Sequence, residues 1–163
     1  MASASQPVSE SSTQKLKILS WNIYMLPGFL AKLNGKRAGR IGELLATSEY
    51  DVVVFQEAFC PWARHKIRKK LESEFTYQAG PANRKLFSIK TNSGLWIVSK
   101  YPILSHHAIV FKNKHGIDAL SRKGALLIEL NVNGKGIQVA GVKELNFLGC
   151  KNLSRFTSPA HDY

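Results

Sequence analysis

Glu57 closes the run Asp51-Val-Val-Val-Phe-Gln-Glu57, in which four β-propensity residues give way to an amide and a carboxylate. An apolar run this short reads as a strand buried on both faces. A carboxylate placed where such a strand leaves the core stands on a rigid support and faces solvent. That setting suits a ligand for a hard cation, and a solvated glutamate at a strand end is the plainer alternative. Upstream, Lys17-Ile-Leu-Ser-Trp-Asn22 repeats the arrangement and delivers a second oxygen ligand, Asn22. Two strand ends would then offer an amide and a carboxylate at one corner. Other chemistry-bearing residues carry less. His106 and His107 are neighbours on an expected strand and point to opposite faces, so one is expected at the core edge and one in solvent. Cys60 and Cys150 permit a disulfide without implying one, and buried or inert thiols are the simpler reading. Phe59 and Trp62 are expected to lean outward, where they could touch lipid.

The elements that must position these groups follow from periodicity. A first strand is expected over 16–22 and a second over 51–56. Between them a helix is expected over 36–48, with Ala38, Ile41, Leu44 and Leu45 on one side. Cys60-Pro61 opens a second helix, proline suiting a first turn. Ala63, Ile67 and Leu71 recur there at helical spacing, which sends the cations of Arg64-His-Lys-Ile-Arg-Lys-Lys70 to the outer face. Asn83 to Ser93 reads as a loop. Strands are expected over Leu95 to Ser99 and Ile103 to Phe111, with Pro102 between them. A hairpin is the clearest expectation: Leu126, Ile128, Leu130 and Val132 alternate with their neighbours, Asn133-Gly134 supplies a positive-φ turn, and 137–142 returns. Strands mixed with two helices give an α/β sandwich with helices covering strand faces.

The chain has 163 residues, enough for one domain with a real core, and 44% hydrophobic content is ordinary for a globular protein. No stretch approaches the roughly 18 apolar residues of a membrane span. Residues 1–14 are Ser-rich and polar, read as a disordered lead without the apolar centre of a signal peptide. Lys and Arg outnumber Asp and Glu by 23 to 11, a formal charge of +12. Such a surface favours polyanions, either nucleic acid or an anionic membrane. No aromatic residues interleave the basic helix as single-strand nucleic-acid platforms require.

Five segments, KILSWNIYMLP, RIGELL, DVVVFQEAF, GLWIVSKYPI and HGIDALSRKGALLIEL, occur in this order. Together they resemble the bacterial neutral sphingomyelinases of the DNase I-like endonuclease/exonuclease/phosphatase superfamily, over roughly residues 15–141. The resemblance implies an α/β (α+β) fold, the N-terminal half of a DNase I-like four-layer α/β sandwich, followed by a divergent tail over 142–163. It implies a Mg2+-dependent phosphodiester hydrolase that cleaves sphingomyelin to ceramide and phosphocholine. Glu57 is then the metal ligand, Asn22 and Asp118 belong to the catalytic group, and Lys123 neutralises substrate phosphate. The implied partner is a sphingomyelin-containing or anionic membrane surface, with nucleic acid second and no transmembrane segment. Secretion is the family's analogy, although no signal peptide is visible. A nuclease, a phosphoinositide phosphatase or a non-catalytic membrane- or metal-binding remnant are the alternatives.

The family pattern stops early. A Thr-His step is expected directly after Val139-Ala-Gly141, where this chain has Val142-Lys143, and no Asp-x-Asn occurs anywhere. Truncation to the N-terminal half is the most economical expectation. Loss of a general base typically costs about 10² to 10⁴ in rate, so weak or absent turnover by this chain alone is expected. An open strand edge and uncovered apolar strand faces are expected with it.

Overall fold

The computed structural model describes residues 15–26, 34–81, 92–110 and 124–143. In chain order these form β1 (Ile18–Met25), α1 (Asn34–Ala46), β2 (Val52–Ala58), α2 (Pro61–Leu71), β3 (Tyr77–Ala79), β4 (Trp96–Ser99), β5 (Ile103–Val110), β6 (Gly124–Val132) and β7 (Lys135–Lys143). The first sheet has the order β1-β2-β4-β3 and the second β5-β6-β7. β1 and β2 run parallel through the α1 crossover; every other pairing is antiparallel.

Strand β2 explains the layering. Its four apolar residues are all buried, and successive side chains leave on opposite faces. Val53 and Phe55 enter a core shared with Ala38, Ile41 and Leu45 of α1 and Ala63, Ile67 and Leu71 of α2. Val52 and Val54 enter a second core with Leu126, Ile128 and Leu130 of β6. The Phe55 and Trp96 rings stack at 4.8 Å between centroids across the β2–β4 register. Burying one such side chain is worth about 1.5–3 kcal/mol. An exposed ion pair such as Lys17–Glu49 contributes far less, so the two cores hold the molecule. In the hairpin, β6 alternates buried and half-buried residues throughout. Asn133 (φ 52°) and Gly134 (φ 83°) make the primed turn that its twist requires, and Asn131 Oδ1 accepts from the Gly134 N–H at 2.7 Å.

The α/β architecture and the hairpin follow the sequence expectations, with differences that have local causes. β1 and β2 run three and two residues further than expected, through a bulge considered below. α1 begins and ends two residues early. Leu44 is 63% exposed, outside the stripe of Ala38, Ile41 and Leu45. Arg64 is buried, unlike the other cations of its cluster. β3 has no counterpart among the expected strands; Tyr77-Gln-Ala79 is too short and polar to show a period. The described residues make three layers, helices on sheet on sheet, and place no helix on the outer face of the second sheet. Residues 1–14 and 144–163, Cys150 included, lie outside the described residues, as does most of the expected loop from Asn83.

Candidate metal and phosphate site

The parallel register sets Asn22 opposite Gln56, one residue before Glu57. Neither Asn22 nor Glu57 is at a strand end, which corrects the sequence expectation. Both lie inside strands that continue through an irregularity. After the Asn22–Gln56 pair, the next is Met25–Ala58, so β1 uses three residues where β2 uses two. The extra residue is accommodated at Tyr24 (φ 46°), and Glu57 (φ 55°) lies beside it. Two non-glycine residues in the left-handed region each cost on the order of 1–3 kcal/mol and persist only when surrounding bonds over-determine them.

Those bonds are present. Asn22 Oδ1 accepts from the Tyr24 N–H at 3.1 Å. Arg37 donates to the carbonyls of Ile23 at 2.6 Å and Tyr24 at 3.3 Å. The Ala58 N–H donates to Gly94 O at 2.9 Å and the Cys60 N–H to Met25 O at 3.0 Å. Arg64 donates from its buried guanidinium to the carbonyls of Ala58 and Phe59, the latter at 3.0 Å. Gly94 (φ 68°) allows the chain to meet Phe59, where a Cβ would stand 2.7 Å from the ring. The bulge is thus clamped by two arginines that donate to backbone carbonyls. Sequence reasoning missed both. Arg64 had a signal, because 64, 67 and 71 share one helical stripe; the left-handed residues had none.

Gln56 turns toward the sheet-to-sheet side, where its amide donates to Ser20 Oγ at 2.6 Å. Asn22 is exposed and Glu57 half-buried. With Oδ1 engaged by Tyr24, Asn22 retains its amide N–H groups as donors to an anionic oxygen. One carboxylate suits a cation that keeps most of its water, as Mg2+ does, with the amide beside it as a donor to an anionic oxygen. Among the described residues no three His, Cys, Asp or Glu side chains converge. The residues fit Mg2+ held by few protein ligands.

Asp118 and Lys123 lie outside the described residues. Phe59 is not the exposed aromatic expected: it is 5% exposed, packed on Gly94, with Lys143 Nζ 4.0 Å above its ring. Trp62 is exposed, with Lys66 Nζ 5.6 Å from its ring. His106 and His107 are both exposed, not one at the core edge, because the described residues cover neither face of β5 at these two positions. Cys60 is a buried free thiol, as expected.

Residues 19–148 match the Endonuclease/Exonuclease/phosphatase family. The chain is 34% identical over 146 residues to a phospholipase C of Staphylococcus aureus, covering 82% of this chain and 44% of that protein. It is 30% identical over 161 residues to sphingomyelinase C 2 of Leptospira interrogans, covering 88% of this chain and 26% of that protein. Among solved structures, a β-hairpin deletion mutant of beta toxin from S. aureus superposes with a TM-score of 0.71 at 33% identity, covering 78% of this chain and 50% of that one. A beta toxin double mutant with bound magnesium ions gives 0.66 at 31% identity, over 79% of this chain and 49% of that one. The chain spans half the length, or less, of these relatives.

Proposed function

The chain belongs to the endonuclease/exonuclease/phosphatase family, and from that premise we propose that it carries the metal corner of a sphingomyelinase-type phosphodiesterase. The observation that supports this reading is the clamped bulge beside Asn22 and Glu57. Strain of this kind is retained where a side chain must be aimed. Sphingomyelinase C and magnesium-bound beta toxin stand among the similar proteins, which favours sphingomyelin and Mg2+ over other members' substrates.

In this reading Glu57 holds the cation through its carboxylate. Asn22 donates from its amide to a non-bridging phosphate oxygen. Asp118 and Lys123 are proposed to complete the phosphate environment. The bound cation would supply electrostatic stabilisation of charge building on the phosphate. Hydrolysis adds water to phosphorus, breaks the bond to the ceramide oxygen and leaves that oxygen protonated. Neither Asn22 nor Glu57 as a metal ligand can take the water's proton, and a lysine stands where the resemblance expects a histidine. Slow turnover by this chain alone is therefore part of the proposal.

The test is phosphocholine release from sphingomyelin vesicles by the whole chain, with Mg2+ or EDTA, beside Mg2+-induced thermal stabilisation. Slow release that needs Mg2+, and a Mg2+ shift that disappears in Glu57→Gln, are expected. Release that persists in EDTA, or a Mg2+ response unchanged in Glu57→Gln, would sink the assignment. The +12 charge favours a second reading, a nuclease. Plasmid cleavage exceeding lipid hydrolysis and falling steeply with salt would replace the first reading with it.

A further inference from the structure

A cavity of about 300 Å³ lies between the first half of α2 and the β3–β4 edge of the first sheet, and Asn22 and Glu57 take no part in it. Its walls include Arg64, His65 and Arg68 from α2, Gln78 from β3, Trp96 from β4 and the ring of Pro81. Among the described residues no acidic side chain lines it. Arg64 is 8% exposed, so a guanidinium charge is held in the inner wall, fixed by the carbonyls of Ala58 and Phe59. Arg68 lies one helical turn further along the same face and is exposed at the rim. Trp96 Nε1 donates to Gln78 Oε1 at 3.2 Å. An indole can only donate, so it occupies the amide oxygen and leaves the Gln78 NH₂ group as what that residue offers a ligand.

Among the described residues the lining thus carries two guanidinium groups and an amide NH₂, with no acid opposite them. Planar guanidinium groups match the oxygens of phosphate and carboxylate, and the volume is at the small end of ligand sites. A second hollow among the described residues, along Leu19, Trp21, Leu44 and Tyr50, is apolar-walled and shows no such charge. We propose that the Arg64–Arg68–Gln78 cavity is a binding site for a phosphate group, separate from the metal corner. The phosphate could belong to an anionic lipid headgroup or to a free phosphate monoester; the recognition chemistry is the same.

Calorimetric titration of the full chain with inorganic phosphate, in EDTA, reads the site without turnover. Binding is expected to weaken about tenfold in Arg68→Gln, the scale of one charge-assisted hydrogen bond, and to be unchanged in Lys69→Gln, an exposed cation of the same helix outside the cavity. Gln78→Glu keeps an acceptor for Trp96 while placing an anion in the cavity, and should abolish binding. Arg68 and Gln78 are exposed, and thermal melts of each variant verify folding. Sedimentation with phosphatidylcholine vesicles, with and without an anionic phospholipid, separates the sources. Retention on anionic vesicles that phosphate displaces and Arg68→Gln weakens assigns a headgroup; phosphate binding with no vesicle retention assigns a free monoester. Absence of phosphate binding, or equal loss in Arg68→Gln and Lys69→Gln, overturns the site. Binding that survives Glu57→Gln keeps it independent of the metal corner, and loss there would move the anion to Glu57 and overturn it too.

Discussion

A left-handed backbone at Glu57 costs about 1–2 kcal/mol that a glycine would not incur. Replacing it should therefore separate stability from function. Glu57→Gly is expected to raise the urea unfolding free energy by about 1 kcal/mol, while removing the Mg2+ response of the melt. A loss of stability instead would mean that the side chain itself holds the corner. The surface pair Lys17–Glu49 behaves differently. The Lys17 hydrogen bond, then its charge, lowers the Glu49 carboxyl from 4.5, and Glu49 by the same causes raises the Lys17 ammonium from 10.5. A lowered acid stabilises above its unfolded value and loses that contribution as pH falls through the folded one. A raised base stabilises below its unfolded value and loses it as pH rises through the folded one. Glu49→Gln should therefore lower the melting temperature only slightly, between about pH 5 and 10, and not at all in molar salt. At this scale the sequence put Asn22 and Glu57 at strand ends, whereas both strands continue past them. It was silent on the φ values that aim them, because Gln-Glu-Ala carries no turn signature.

Helices α1 and α2 approach closely because of small residues on α1. A Cβ on Gly42 would lie 2.7 Å from Lys70 Cβ, and one on Gly35 2.6 Å from the Trp62 ring. Helix propensity alone favours Gly42→Ala by about 1 kcal/mol. The clash is with an atom bonded to the α2 backbone, so the helices must separate, and overpacking of this kind costs about 1–3 kcal/mol. The net effect expected in urea titration is destabilisation by Gly42→Ala, and a larger one by Gly42→Val. Stabilisation by alanine would mean that the helix pair is loosely held. Elements with strong periods were legible: β2 from its unbroken apolar run, α2 from Ala63, Ile67 and Leu71, the hairpin from its alternation and Asn-Gly turn. β3 was not, because its three residues gain their place only by pairing with β4. Leu44 shows the converse, an apolar residue at helical spacing that the packed sheet does not reach.

For the molecule as a whole, +12 charges and an exposed apolar area coexist. Ile109 on β5 and Val142 on β7 flank Ala125 in register, and they are 61% and 45% exposed. An apolar strip on a sheet face drives association that salt strengthens by screening repulsion. Light scattering of the whole chain should show concentration-dependent association rising with ionic strength, reduced in the Ile109→Thr/Val142→Thr double variant. Association unchanged by that pair would place the contact elsewhere. Helices covering strand faces were legible because β2 is apolar on both faces and β6 alternates, whereas the cavity against α2 was not, since it depends on β3. The parallel β1–β2 pairing has one more consequence, for the order of assembly. The β6–β7 hairpin closes over two residues, but Ile18 meets Val52 only after the intervening chain and α1 have been looped. Local closure outpaces distant closure, so pulse-labelled amides of the hairpin should be protected before those of β1. The strained corner, which rides on the slow pairing, becomes the last part of the chain to acquire its shape and the first exposed to any lapse in folding.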